Sequence, residues 1–82
     1  MITVLYFASL RETLGLERET LSEVPPTVGE LRSVIASRHA ERFQHLPEGM
    51  RLLVAVNQEI AEDDDILQAG DEVAFLPPVT GG

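Results

Sequence analysis

The sequence predicts an α+β fold in which a mixed β-sheet packs against one main helix. Apolar segments of strand length, rich in β-branched and aromatic residues, recur at positions 2–8, 18–24, 50–56 and 73–76. A single segment, beginning after Thr27, shows the 3.6-residue period of an amphipathic helix instead. The chain has 82 residues, which is enough for one domain and too few for two. These three observations define the predicted fold class.

The first half of the chain is predicted to form two antiparallel strands joined by a helical turn. Residues 9–14 fit that turn, and Gly15 closes it. The second strand covers 18–24 and ends at Pro25 and Pro26. In the first strand, the alternation of side chains gives one face to Ile2, Val4 and Tyr6 and the other to Thr3, Leu5 and Phe7.

The main helix is predicted to begin at Thr27, because Thr27 and Glu30 have the spacing of a capping box. Its apolar stripe is expected to face the core, and its opposite side is expected to be polar. The helix should end between residues 37 and 43. The stripe consists of Val28, Leu31, Val34 and Ile35, and the polar side of Glu30, Arg32, Ser33 and Arg38.

The second half is predicted to add a strand, a short edge strand and a last strand. Asn57 and Gln58 make a turn after the strand at 50–56, and the edge strand follows at 59–61. A solvated acidic turn at 63–65 and a return of Ile66 and Leu67 to the core precede Gly70. This order of elements is typical of the ubiquitin-like β-grasp fold. The predicted domain covers 1–76, and 77–82 form an extended, flexible tail.

The sheet is predicted to expose an apolar face. One helix covers one face only, yet the first and third strands carry apolar side chains on both. Leu5, Phe7, Leu53 and Ala55 are the candidates for the open face. We expect a partner-binding patch there, made by Phe7, Phe75 and Leu76. The alternative is that loops 40–49 and 58–68 cover this face.

The last six residues are predicted to present the chain end to other proteins. Pro77 and Pro78 stop the strand and form a semi-rigid neck, because proline fixes φ and lacks a backbone donor. Val79 and Thr80 lead to Gly81 and Gly82, where glycine leaves the terminal acyl group unscreened. Six residues span at most roughly 20 Å, enough to enter a partner's pocket. The alternative is a frayed end without function.

Composition excludes several classes of function. The absence of cysteine removes disulfides, thiolate metal sites and thiol nucleophiles, and a net charge of −8 argues against nucleic acid and anionic membranes. His39 and His45 are not placed to share a metal, and the acidic run 62–65 lacks the pattern of a calcium loop. We therefore expect no bound metal and no catalytic constellation. Without a membrane-length apolar run or a secretory signal, the expected location is the cytoplasm.

With these residues in place, the sequence resembles the family of small, sulfur-carrying subunits of molybdopterin synthase. The resemblance covers the whole chain, and its most specific part is the C-terminal segment, because Gly-Gly alone is shared with ubiquitin and with the thiamin-pathway sulfur carrier. The matching segments are Val4 to Ala8, Leu10 to Glu12, Thr27 and Val28 with Leu31, Ala55 to Asn57, and Gly70 to Gly82.

The resemblance implies a non-catalytic, sulfur-donating subunit. An ATP-using, ubiquitin-activating-type adenylyltransferase would convert Gly82 to an acyl-adenylate and then to a thiocarboxylate. The tail would carry this sulfur into the large catalytic subunit, within a heterotetramer, to make the molybdopterin dithiolene from a cyclic pyranopterin precursor. No cofactor would be bound by the chain itself. A ubiquitin-like protein modifier, a thiamin-type sulfur carrier and a plain interaction domain remain as alternatives.

Overall fold

A computed structural model describes residues 1–78 as a five-stranded mixed sheet with its main helix on one face. Short helices precede the second strand and follow the main helix. The α+β class and the β-grasp order of elements are confirmed. The elements are β1 (Ile2–Tyr6), α1 (Ser9–Leu14), β2 (Arg18–Leu21), α2 (Val28–Arg38), α3 (Ala40–Phe43), β3 (Leu53–Val56), β4 (Glu59–Ile60) and β5 (Glu72–Leu76).

The strand order across the sheet is β2-β1-β5-β3-β4. β1 and β5 are parallel neighbours in the middle, whereas β1 pairs antiparallel with β2, and β3 pairs antiparallel with both β4 and β5. Because β1 and β5 run in the same direction, β5 leaves the sheet at the edge where β1 ends. The final strand is therefore held on both sides when the chain departs from it.

The core lies between α2 and the inward face of the sheet. Ile2, Val4 and Tyr6 are buried at 0–1% exposure, as the alternation in β1 predicts. Leu31 and Ile35 of α2 are completely buried against them. The prediction fails at Val34 of α2, which is 40% exposed. Val34 lines an open groove between α2 and residues 20–26, and so it points beside the core and not into it.

Local signals placed the helix ends and two turns correctly. The Glu30 N–H donates to Thr27 Oγ1 at 3.2 Å, which confirms the capped start of α2. Gly15 adopts φ 68° and closes α1. Asn57 and Gln58 have φ of 51° and 73°, the left-handed pair of a two-residue hairpin turn. The Asn57 side chain also accepts the Glu72 N–H at 3.0 Å and so joins this turn to β5.

Several strands are shorter than predicted. β1 stops at Tyr6 because the chain turns at Ala8, whose φ is 54°. β2 ends at Leu21, and the third strand begins only at Leu53. The return of residues 66–67 to the core is half correct. Leu67 is 5% exposed, but Ile66 is 70% exposed.

Within residues 1–78, no helix combines the length and the apolar character that a bilayer crossing requires.

Candidate functional site

The tail leaves the sheet from its centre. Leu76, the last residue of β5, pairs with Leu53 of β3. On the other side, the Phe7 N–H donates to the Phe75 carbonyl at 3.1 Å. Pro77 and Pro78 follow and are half-buried. The predicted end of the strand at the prolines is therefore confirmed, and Val79, Thr80, Gly81 and Gly82 lie outside the described residues.

The base of the tail rests on an aromatic pair. The Phe75 ring stacks on Tyr6 with centroids 5.9 Å apart and planes 12° from parallel, and Phe75 is 1% exposed. The inclusion of Phe75 in an exposed patch is therefore wrong. The register of β5 against β1 pairs Phe75 with Tyr6, and this turns Phe75 inward and Leu76 outward.

Tyr6 is itself held by a polar network centred on the Glu19 carboxylate. The Tyr6 hydroxyl donates to Glu19 Oε2 at 2.6 Å, and His39 Nε2 lies 2.6 Å from the same oxygen. Arg38 Nε lies 2.9 Å from Glu19 Oε1. One carboxylate thus joins β1, β2 and the end of α2 beneath the tail. This network was not predicted from the sequence, although a tyrosine at a core-facing position of β1 needs a polar partner for its hydroxyl.

The network shifts two pKa values. Burial acts to raise the pKa of Glu19, but the hydrogen bonds from Tyr6 and His39 outweigh it, and the net pKa is below the ordinary value. Burial and the Glu19 hydrogen bond raise the pKa of Tyr6 far above its ordinary value. The Tyr6 hydroxyl is consequently a permanent donor, and Glu19 is a permanent acceptor at neutral pH.

We expect acid to remove the stability that Glu19 provides. A carboxylate with a lowered folded-state pKa stabilises the fold above its unfolded pKa of about 4.3, and this contribution disappears as the pH falls through the folded value. Glu19→Gln should therefore lower the free energy of unfolding at pH 7 by about 1–3 kcal/mol, and the difference from the parent should shrink below about pH 4.5. Urea unfolding at several pH values measures this. A difference that is constant from pH 7 to pH 3 would contradict it.

The outward face of the sheet carries an apolar surface next to the tail, which we name the outer patch. The cross-strand pairs Leu5–Ala74, Ala74–Ala55 and Ala55–Ile60 form one row of it. Phe7, Leu76 and Leu53 form the row nearest the tail. Phe7 is 44% and Ile60 is 67% exposed, whereas Ala55 and Ala74 are small and lie low between their neighbours. The outer patch consists of Leu5, Phe7, Leu53, Ala55, Ile60, Ala74 and Leu76.

The two loops that could have covered the outer patch lie elsewhere. Phe43 and Leu46 of loop 40–49 pack against the core. Beyond β4, loop 58–68 is tied to α2, because Asp63 accepts a hydrogen bond at 2.7 Å from Arg32 Nε and the Val28 N–H donates to the Asp65 carbonyl at 3.0 Å. Asp63 also accepts a hydrogen bond at 2.7 Å from Arg51 Nη2. The two arginine bonds hold the pKa of Asp63 below its ordinary value. One residue of the predicted acidic turn, Asp63, thus pairs with Arg32 on the polar side of α2, a contact that was not predicted.

Comparisons with known proteins agree with this architecture. The family model described as "ThiS family" matches residues 4–82. The chain is 45% identical to the molybdopterin synthase sulfur carrier subunit of Escherichia coli (strain K12) over 82 residues, covering all of both proteins. It is 37% identical to the protein of the same name from Homo sapiens, covering 99% of this chain and 93% of that one.

Solved structures show the same fold. A putative molybdopterin converting factor, subunit 1, from Pyrococcus furiosus superposes with a TM-score of 0.71 at 34% identity, covering 95% of this chain and 97% of that one. SAMP1 from Haloferax volcanii superposes with a TM-score of 0.72 at 26% identity, covering 99% and 98%. In a complex of subunits 1 and 2 of the molybdopterin-converting factor from Helicobacter pylori, one chain matches with a TM-score of 0.64 at 20% identity, covering 99% and 97%.

The family model and the full-length relatives cover the sheet, the outer patch and the tail together. The chain therefore belongs to the ThiS family of small ubiquitin-like proteins.

Proposed function

We propose that this chain carries sulfur on its C-terminal glycine and delivers it as the small subunit of molybdopterin synthase. The observation that carries the proposal is the attachment of a Pro-Pro-Val-Thr-Gly-Gly tail to the central strand of the sheet, beside an open apolar patch. The full-length relatives share the name of sulfur carrier subunit. The protein is thus a sulfur carrier of molybdenum cofactor biosynthesis.

The proposed chemistry begins with activation of Gly82. A terminal carboxylate with a pKa of about 3.3–3.7 is anionic at neutral pH and therefore a poor electrophile. An adenylyltransferase of the ubiquitin-activating type would join a carboxylate oxygen to the α-phosphorus of ATP, and pyrophosphate would leave. A sulfur donor would then attack the acyl carbon and expel AMP. If the donor is a persulfide, this gives an acyl disulfide, and attack of a second thiol on the donor's sulfur would form a disulfide with the donor and leave the transferred sulfur on Gly82 as a thiocarboxylate.

Delivery would use the outer patch and the tail together. The outer patch would dock on the large subunit, while the tail extends into that subunit's active site. There the thiocarboxylate sulfur would attack the cyclic pyranopterin precursor, and water would hydrolyse the resulting thioester, so that the sulfur stays on the pterin and Gly82 is released as a carboxylate. A dithiolene needs two sulfur atoms, so two carriers or two rounds are required, and this requirement suits a heterotetramer with two copies of each subunit. Catalytic residues would come from the large subunit, in the cytoplasm.

One structural comparison favours an alternative function, that of a protein modifier. The 26% identity to a small archaeal modifier protein is compatible with a protein modifier, in which Gly82 would form an isopeptide bond with a target lysine. The chain itself contains no lysine, so it could not act as its own acceptor through a lysine side chain.

Intact-mass spectrometry tests the proposal. The chain is incubated with the activating enzyme, ATP and a sulfur donor, and then with the large subunit and the pyranopterin precursor. We expect one oxygen to be replaced by sulfur, followed by loss of that sulfur as molybdopterin forms. A variant lacking Gly82 serves as the control and should remain unmodified. A larger conjugate would favour the modifier, and an unchanged mass would contradict sulfur carriage.

A further inference from the structure

The side of the domain formed by β2 and α2 has a second surface that the tail and the outer patch do not use. A groove of about 480 Å³ runs between residues 20–26 on one side and Glu30, Val34 and Arg38 of α2 on the other. These three helix residues follow one another at intervals of four positions, so they lie in one row along the same side of α2. Val34 is 40% exposed in this groove, as an apolar side chain without a cover.

The strand beside the groove has a free edge. β2 lies at one end of the sheet order, and among residues 1–78 its one strand partner is β1. The Tyr6 N–H donates to the Glu17 carbonyl at 3.0 Å, so the backbone groups of Glu17, Glu19 and Leu21 face β1. By the same alternation, the N–H and C=O groups of Arg18 and Thr20 point away from the sheet. They are available to an additional strand.

The charges around the groove select the type of strand. Glu23 and Glu30 are exposed on its rim. The one positive side chain among the groove residues, Arg38, is already paired with Glu19 at 2.9 Å. Arg18, at the start of β2, lies outside the groove, so the groove rim itself is acidic at Glu23 and Glu30 and favours basic side chains there. A second copy of this chain is disfavoured, because each copy carries a net charge of −8 and the two would repel each other.

We propose that the groove between β2 and α2 binds an extended peptide segment of a partner protein, with an apolar side chain seated on Val34 and basic residues beside Glu23 and Glu30. The segment adds to the sheet as a sixth strand along β2. Backbone hydrogen bonds to Arg18 and Thr20 provide affinity, and the contacts with Val34 and the two glutamates provide specificity.

This site can be occupied while the tail is inside another protein. The groove begins where Leu21 pairs with Ile2, at the start of β1, whereas the tail departs where Phe75 pairs with Tyr6, at its end. The proposed strand also runs past Arg18, which pairs with Leu5 near that end, and there β1 lies between β2 and the tail strand β5, a separation of about 10 Å at ~4.8 Å per strand. The edge of β2 would offer backbone hydrogen bonds to the peptide, whereas the outer patch lies on the face of the sheet and offers apolar side chains. The proposal goes beyond sulfur carriage and does not rest on it.

A peptide titration followed by NMR tests the site. The probe is the capped pentapeptide Lys-Val-Ile-Val-Lys, and its control has proline in place of isoleucine, which removes a central backbone donor at equal charge. We expect the probe to shift the amide signals of residues 18–24 and of Val34, and the control to bind at least tenfold more weakly. Shifts concentrated on the outer patch, or no saturable shifts at millimolar peptide, would overturn the proposal.

A matched pair of double variants separates specific contacts from general attraction. Glu23→Lys with Glu30→Lys should weaken probe binding at least tenfold. Glu48→Lys with Glu59→Lys makes the same change in net charge at exposed positions away from the groove and should weaken it less than twofold. Equal losses in the two pairs would show that net charge alone attracts the peptide, which would overturn the proposal. The dispersion of the amide signals shows that each variant is folded.

Discussion

One alanine added after Gly82 should reduce sulfur delivery by about 100-fold or more without changing the stability of the fold. The added residue moves the acyl carbon of Gly82 away from the chain end by one residue, about 3.5 Å, and places a methyl group where the glycine tail had none. A displacement of even 1 Å in a reacting group costs about 100-fold in rate. The yield of thiocarboxylate with the activating enzyme and the yield of molybdopterin with the large subunit measure the effect.

The control adds one alanine before Met1 instead. Met1 is 64% exposed, so this variant has the same length and composition but an unaltered tail. It should support the parent rate, and both variants should unfold at the same urea concentration as the parent. Equal delivery by the C-terminal and N-terminal variants would contradict the role of Gly82.

The sequence predicted those parts of the structure whose signals are local. The alternation of Ile2, Val4 and Tyr6 marks the inward face of β1 because polar Thr3 separates the first two. Thr27 and Glu30, which cap the start of α2, are only three positions apart, so their contact can be recognised from the sequence. The tail is likewise a contiguous motif, and so its Pro-Pro neck could be recognised without knowledge of the fold.

Features that depend on register or on distant contacts could not be predicted in the same way. Residues 73–76 are all apolar, so the alternation of a strand does not reveal which of them face inward. The pairing of Phe75 with Tyr6 decides this. The Glu19 network joins residues 13 and 20 positions apart, and the Arg32–Asp63 pair spans 31 positions. Such pairs become visible only when the sheet and helix are assembled.

Phe75→Ala should destabilise the fold severely, because it removes a fully buried ring from the core beneath the tail. Truncation of a buried phenylalanine typically costs about 3–5 kcal/mol. A chain of 82 residues is stabilised by roughly 4–12 kcal/mol in total at about 0.05–0.15 kcal/mol per residue. The variant should therefore be close to half-unfolded or lose much of its resistance to urea. Phe75→Leu retains most of the apolar volume and should cost less than about 1.5–2 kcal/mol.

Phe7→Ala is the matched test on the opposite face of the sheet. Phe7 is 44% exposed, so its truncation should change the free energy of unfolding by less than about 1 kcal/mol. An aromatic anchor in a docking surface contributes more to binding, and we expect about tenfold weaker association with the large subunit, measured by calorimetry. Large destabilisation by Phe7→Ala would mean that the outer patch is covered. A stable variant that binds the large subunit with the parental affinity would mean that Phe7 and the outer patch do not contribute to docking.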